Sequence, residues 1–147
     1  PYCSLFEEDK KFGSLGNFHQ LDFNAFVKDR EGETVVTINP PFTETELKYA
    51  AEKAHDMMWY GKPVIVIFTA PVWKDAAYFK LLSKSRFLRQ TYFLPKFKHY
   101  YECPSDPKDT RVVAKANSQL FVLDNLPTNQ RRYYAFLSYG CVHLPRK

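Results

Sequence analysis

Two short apolar runs, separated by the pattern of one helix, constrain this fold more than any other feature. Residues 34–38 read Thr-Val-Val-Thr-Ile, and residues 64–68 read Val-Ile-Val-Ile-Phe. Runs of this length without an alternation of apolar and polar residues are typical of strands buried on both faces of a sheet. A strand, a helix and a second strand predict a parallel crossover unit of right-handed sense. An α/β fold is therefore expected.

The segment between the two runs carries the signals of one helix. Thr43 and Glu46 have the spacing of a capping box, in which each side chain binds a free backbone N–H group of the first turn. Gly61 suits the left-handed position after a helix, and Pro63 prevents its continuation. The apolar face of this helix is predicted to consist of Leu47, Ala50, Ala51, Ala54, Met57 and Met58.

The chain is predicted to form one partial domain with three regions. Residues 1–33 are interpreted as an irregular lead-in, residues 34–125 as the sheet with its helices, and residues 126–147 as a tail. Phe18, Leu21, Phe23 and Phe26 are expected to anchor the lead-in on the core. A short helix is expected from Ala76 to about Ser85, and further strands over Thr91–Phe97 and Gln119–Asp124.

The composition suits one globular domain. The chain has 147 residues, of which 45% are hydrophobic, and this is enough to bury a core. Its formal net charge of +5 fits either a polyanionic partner such as RNA or a soluble basic protein without one. No apolar run approaches the roughly 18 residues of a membrane span, so no membrane partner is expected.

The cysteines and histidines argue against a disulfide framework and against a metal site. Cys3, Cys103 and Cys141 are odd in number, far apart and without a CxxC spacing. An intracellular, reducing compartment is the natural expectation for such a chain. The four histidines also lack the spacing of metal ligands.

The tetrapeptide Asn39-Pro40-Pro41-Phe42 follows the first predicted strand directly and precedes the capped helix. Open α/β sheets bind ligands at this edge. The oxygen of Asn39 and the carbonyl of Pro40 can accept hydrogen bonds from an exocyclic amine, and neither proline can donate one. Phe42 can stack on a purine, while Pro41 fixes the turn. A purely structural interpretation remains open, in which the prolines end the strand and Asn39 caps the turn.

Basic and aromatic residues alternate from Lys84 to Tyr101, a pattern that indicates contact with nucleic acid. Lys84, Arg86 and Arg89 are the candidate phosphate or cap contacts. Trp73, just beyond the second apolar run, is expected on the same ligand edge as the tetrapeptide, where it could stack on a base. The alternatives are a solvated charged face and a packed tryptophan.

Several segments resemble the phosphorylated-CTD-interacting-factor family. They are Tyr2-Cys3-Ser4, Phe12-Gly13-Ser14, Asn39-Pro40-Pro41-Phe42, Ile65–Phe68 with Pro71 and Trp73, and Ser85-Arg86-Phe87 through Leu94-Pro95 to His99 and Tyr100. Members are cap-specific adenosine methyltransferases, which use S-adenosylmethionine to methylate N6 of a 2′-O-methyladenosine beside a 7-methylguanosine cap. The resemblance covers about residues 1–125. It implies capped mRNA as the partner and a nuclear or cytoplasmic location.

The resemblance also implies a specific part of a Rossmann-like class I methyltransferase sheet. Such sheets have seven strands, and this chain would supply strands four to seven, the C-terminal half. No glycine-rich cofactor loop stands before or after the tetrapeptide. The S-adenosylmethionine site is therefore expected to lie largely outside this chain and to be completed by another segment or subunit. The alternative is an inactive methyltransferase-like subunit that binds RNA or protein within a larger assembly.

Overall fold

The fold is seen in a computed structural model that describes residues 1–4, 6–102, 111–131 and 142–143. Most of the tail predicted from residue 126 onwards lies outside the described residues, as do Cys103 and Cys141. No helix in the described part of the chain is long and apolar enough to cross a membrane.

The predicted crossover unit is present, with the two strands parallel. Strand β1 spans Thr34–Ile38 and strand β2 spans Val64–Pro71. Their register runs from Thr34 opposite Val64 to Ile38 opposite Phe68. Helix α2, Glu44–Met57, connects them, after a first short helix α1 at Phe23–Val27. The α/β class predicted from the sequence is therefore confirmed.

Two more strands complete the main sheet. Strand β3 spans Leu88–Leu94 and follows helix α3, Ala77–Ser83, whereas strand β6 spans Ser118–Asp124. The four strands lie in the order β1-β2-β6-β3. Strand β6 is antiparallel to both β2 and β3. Strands β1, β2 and β3 consequently run in one direction, and the last strand of this sheet along the chain lies reversed among them.

A small second sheet was not predicted. It is formed by β4 at Tyr100–Glu102, β5 at Arg111–Val113 and β7 at Val142–His143, in the order β5-β4-β7. Both pairings are antiparallel. Because each of these strands has only two or three residues, none shows a periodicity that sequence reasoning can detect.

The prediction that β1 is buried on both faces is wrong. Val35 is 57% exposed, and Thr37 is exposed as well, whereas Ile38 is buried. Strand β1 is the last strand in the order of the described sheet, and one of its faces packs in the core with α2 while the other lies open. Strand β2 lies inside the sheet, and all eight of its residues are buried, as predicted.

Helix α2 has the predicted buried face, but only half of the predicted capping box. The six residues Leu47, Ala50, Ala51, Ala54, Met57 and Met58 are all buried. The hydroxyl of Thr43 accepts from the backbone N–H of Glu46 at 3.3 Å. The Glu46 carboxylate does not return the bond, because it pairs with His19, with 2.7 Å between Nε2 and Oε2. The N–H of Thr43 donates instead to the carbonyl of Pro41 at 2.8 Å.

The lead-in is more regular than predicted. It contains 3-10 turns at Glu7–Phe12 and Phe18–Gln20 in addition to α1. Its predicted anchors are confirmed, since Phe23 is 3% exposed within the core and the other three pack against that core.

Strand β3 ends three residues earlier than predicted. Pro95 lacks an N–H group for the sheet, and Phe97 adopts a left-handed φ of 61°, so the chain turns directly after Leu94. The predicted last strand begins one residue early, at Ser118.

Candidate functional site

The tetrapeptide lies where three segments meet at one edge of the sheet. Because β1, β2 and β3 run in one direction, their carboxyl ends share this edge. It carries Asn39–Phe42 after β1, Val72–Trp73 after β2, and Pro95–Lys98 after β3. We call it the carboxyl edge. It therefore brings together the tetrapeptide and Trp73, as the sequence predicts.

The two predicted hydrogen-bond acceptors are available at this edge. The Asn39 side chain is exposed, and within the described residues neither it nor the carbonyl of Pro40 has a hydrogen-bond partner. The carbonyl of Pro41, in contrast, already accepts from Thr43. Two adjacent acceptors without a partner can take the two hydrogens of one amine.

Phe42 is held by an aromatic residue of the second sheet. The rings of Phe42 and Tyr101 meet edge to face, with their centroids 5.9 Å apart. Phe42 remains 36% exposed, so part of its ring is open to a ligand. Such edge-to-face pairs stabilise a defined ring orientation.

A buried chain of hydrogen bonds extends from Tyr101. Its hydroxyl lies 2.6 Å from Oγ of Ser118, and that oxygen lies 3.2 Å from Nε2 of His99. Nδ1 of His99 lies 2.9 Å from the carbonyl of Pro95. That carbonyl can only accept, so Nδ1 carries a hydrogen and, in the neutral ring, Nε2 accepts from Ser118. Ser118 then accepts from Tyr101, and the chain of donors and acceptors is complete.

Burial keeps both titratable members of this chain neutral. It lowers the pKa of His99 from its ordinary value of 6.5, although the bond to the carbonyl of Pro95 acts in the opposite direction. It also raises the pKa of Tyr101, against the hydrogen bond with Ser118. His99 is 0% exposed. Its role is therefore to hold Ser118 and Tyr101, and through them Phe42.

A groove runs along the open side of β1 to the tetrapeptide. It has a volume of about 610 Å³, and every residue of β1 lines it, together with Asn39–Pro41 and parts of residues 1–4 and 15–26. Its charged lining includes Glu31, Glu33 and Glu46, against Arg30. We call it the β1 groove. The Glu46 carboxylate is paired with His19, which also lines the groove, so the remaining excess of carboxylates over Arg30 is small. This excess suits a cationic ligand better than a phosphate chain.

Trp73 lies at the carboxyl edge but is partly packed. Its ring is 38% exposed and meets the ring of Tyr78 at 6.1 Å between centroids. The Tyr78 hydroxyl donates to the carbonyl of Pro71 at 2.6 Å, and burial raises the pKa of this tyrosine to about 12. Trp73 also borders a shallow depression of about 480 Å³ together with Glu44. The ring is thus partly packed and partly exposed, and stacking on a base stays a prediction.

Lys84, Arg86 and Arg89 lie at the opposite edge of the sheet, where β3 begins. Arg89 donates from Nε to Oδ1 of Asp124 at 2.9 Å, and this carboxylate is 0% exposed. The guanidinium of Arg86 lies 5.6 Å from the ring centre of Trp59. These three cations are therefore not brought together with the tetrapeptide, and contact between them and RNA remains a prediction.

Sequence reasoning missed Tyr101, His99 and Ser118. Their contacts join segments far apart in the chain, and His99 stands in a run of basic and aromatic residues that looks exposed. Among the residues that the structure describes, no group of three or more His, Cys, Asp or Glu side chains could hold a metal ion.

A comparison with protein families finds one match for the first two thirds of the chain. A family model described as "Phosphorylated CTD interacting factor 1 WW domain" matches residues 1–103. The matched range contains the crossover unit, the tetrapeptide and all three segments of the carboxyl edge. No curated protein sequence matches the chain.

Proposed function

The chain belongs to the family described as phosphorylated CTD interacting factor 1 WW domain, and from this premise we propose that it is the C-terminal half of an RNA adenosine-N6 methyltransferase domain. The adenosine beside the cap of mRNA is the expected target. The observation that carries the proposal is the pair of acceptors without partners at Asn39 and Pro40, next to the partly exposed ring of Phe42.

The geometry suits the chemical difficulty of this reaction. The lone pair of the adenine amine is delocalised into the ring, so the nitrogen is a weak nucleophile and gains positive charge as it attacks a methyl group. Acceptors at Asn39 and Pro40 would stabilise that charge where it develops. Phe42, held by Tyr101, would stack on the purine and keep the nitrogen in line.

The strand directions also support the proposal. Three strands run in one direction, and the last strand of this sheet along the chain is inserted reversed between β2 and β3. This arrangement agrees with β1, β2, β3 and β6 as strands four, five, six and seven of a class I methyltransferase sheet. The edge of β1 that faces away from β2 would then pair with the remaining strands, from another segment or subunit.

The β1 groove fits one side of an S-adenosylmethionine site. Its volume of about 610 Å³ lies in the usual range for small ligands, and its carboxylates favour a cationic sulfonium compound. The described residues include no glycine-rich turn after a strand, so the other side would come from elsewhere. When bound, the cofactor supplies the methyl group. This chain's own contribution is to bind and orient the amine through Asn39 and Pro40.

The test is methyl transfer to capped RNA by the intact protein. Asn39→Ala should reduce turnover by roughly 10²–10³, as is typical for a preorganised polar group. Asn39→Asp keeps an acceptor and should retain more activity. Asn24→Ala removes an exposed asparagine of α1 and should have no effect. Wild-type turnover in Asn39→Ala would exclude the catalytic role.

A second candidate is a binding module without catalytic activity. The family description itself names interaction with a phosphorylated CTD and a WW domain, and WW domains bind proline-rich segments. Binding of a phosphorylated CTD peptide, combined with no methyl transfer by the intact protein to any capped RNA, would favour this candidate.

A further inference from the structure

The turn after β3 presents an aromatic ring from a strained backbone. Phe97 has a φ of 61°, and it is the one non-glycine residue with a positive φ among the described residues. A side chain with a Cβ atom is disfavoured in this conformation. Yet the ring is 59% exposed, so burial does not compensate for the strain. Strain of this kind is concentrated at ligand contacts.

The turn is fixed by the segment that precedes β6. The N–H of Phe97 donates to the carbonyl of Ala114 at 2.8 Å, and the N–H of Lys96 donates to Oδ1 of Asn117 at 2.9 Å. The N–H of Ala114 donates in return to the carbonyl of His99 at 3.0 Å. The position of the Phe97 ring is therefore set by the backbone of two segments.

Three lysines accompany this ring. Nζ of Lys96 lies 5.7 Å from the ring centre of Phe97, and Lys98 and Lys115 are exposed on the two paired segments. None of the three forms an ion pair with another described residue. We call Lys96, Phe97, Lys98 and Lys115 the basic turn.

The basic turn lies on the same edge as the tetrapeptide, on the side opposite the β1 groove. Asn117 connects the basic turn with the end of β2, because its carbonyl also accepts from the N–H of Val72 at 3.0 Å. Strands β1 and β3 are three strand spacings apart, or about 14 Å. The carboxyl edge thus has the acidic β1 groove at one end and the basic turn at the other. Asn39 and Phe42 lie between the two.

We propose that the basic turn binds the single-stranded RNA that flanks the target adenosine. A neighbouring base stacks on Phe97, and the three lysines contact the phosphates. This inference rests on the proposed function, since it extends the path of the same substrate. Exposed cations beside an aromatic platform are the elements by which proteins bind single strands without reading their sequence. The acidic β1 groove disfavours an RNA path in the other direction.

The decisive variant is Phe97→Gly in the intact protein. Glycine removes the ring and also relieves the left-handed strain, so the melting temperature should stay the same or rise. The affinity for a fluorescein-labelled single-stranded RNA, measured by anisotropy without cofactor, should fall about 5- to 100-fold, with the salt dependence unchanged. Phe97→Tyr keeps a stacking ring and should bind like the wild type. Phe12→Ala removes an exposed ring elsewhere and should not change the affinity.

The lysines require a control of equal charge. The triple variant Lys96→Gln, Lys98→Gln, Lys115→Gln should reduce the slope of log affinity against log salt by about 0.7 for each RNA phosphate that a lysine no longer neutralises. The matched variant Lys11→Gln, Lys28→Gln, Lys80→Gln removes the same charge from exposed positions outside the turn, and its slope should remain close to that of the wild type.

Wild-type RNA affinity in Phe97→Gly would overturn the inference, whether or not the protein transfers methyl groups. An equal decrease of the slope in the two triple variants would also overturn it, because net charge alone would then explain binding. If Phe97→Gly loses binding of a phosphorylated peptide while its RNA binding stays intact, the turn belongs to a protein partner instead. Conversely, weaker RNA binding in Phe97→Gly without methyl transfer by the wild type would support the basic turn and reject the proposed activity.

Discussion

The ring of Tyr101 lies edge to face against the ring of Phe42, with the two centroids 5.9 Å apart. Tyr101 belongs to the small second sheet, and its hydroxyl is fixed by Ser118 at the start of β6. The aromatic member of the tetrapeptide is thus positioned by residues that lie about 60 and 75 positions later in the chain. We expect this relationship to determine how well Phe42 orients an adenine.

Replacing Tyr101 should separate the ring contact from the hydrogen bond. Tyr101→Leu removes both and should lower kcat/KM for RNA methylation about tenfold, because Phe42 is then no longer held in a fixed orientation. Tyr101→Phe keeps the ring and should retain most of that activity. A larger effect on kcat than on KM would indicate positioning in the transition state. Equal activity of Tyr101→Leu and the wild type would contradict this role.

His99 should make stability depend on pH. Its pKa is lowered in the folded protein by burial, so the unfolded chain takes up a proton first as the pH falls below the ordinary value of 6.5. The contribution of neutral His99 is therefore complete above pH 6.5 and declines on acidification, by at most about 1.4 kcal/mol per pH unit. Urea unfolding at a series of pH values between 5 and 8 measures this slope.

The variant His99→Gln provides the control for that slope. Glutamine can donate to the carbonyl of Pro95 and accept from Ser118, but it does not titrate. Below pH 6.5, the slope of the unfolding free energy against pH should therefore decrease by up to about 1.4 kcal/mol per pH unit, the value for one proton. An unchanged slope in His99→Gln would assign the pH dependence to other groups.

Replacing Arg89 should destabilise the protein more than replacing Arg86, although the sequence suggests the same role for both residues. Arg89→Ala leaves the buried carboxylate of Asp124 without its guanidinium and should destabilise the protein by about 3–5 kcal/mol. Arg86→Ala removes an exposed cation that lies over Trp59 and should cost about 1 kcal/mol or less. Denaturant unfolding of both variants checks the difference. Similar stabilities would show that the ion pair with Asp124 contributes little.

Local patterns in the sequence are sufficient to predict the crossover unit. The β-branched run before Asn39, the helical spacing from Leu47 onwards and the cap at Thr43 all act within a few residues, so each leaves a signal. The position of the tetrapeptide at the carboxyl edge follows from these signals alone.

The parts of the fold and of the site that the sequence does not predict depend on contacts between distant segments. Nothing near Arg89 reveals that its partner is Asp124, 35 residues later, and a basic residue in a run of basic and aromatic residues looks like an RNA contact. The exposure of Val35 was also mispredicted, since burial of a strand depends on its neighbours in the sheet rather than on its own residues. Phe97 gave no signal because aromatic residues rarely adopt a positive φ.

The open side of β1 should make the isolated chain prone to aggregation. Val35 is 57% exposed at the edge of the described sheet, and unpaired apolar edge strands associate with one another. A lysine at such an edge opposes pairing, so Val35→Lys should reduce light scattering of the chain on warming, with stability changed by no more than about 0.5 kcal/mol. Val112→Lys, at a 48% exposed position of β5, adds the same charge away from this edge and should have a smaller effect. Equal scattering by Val35→Lys and the wild type would show that this edge does not drive association.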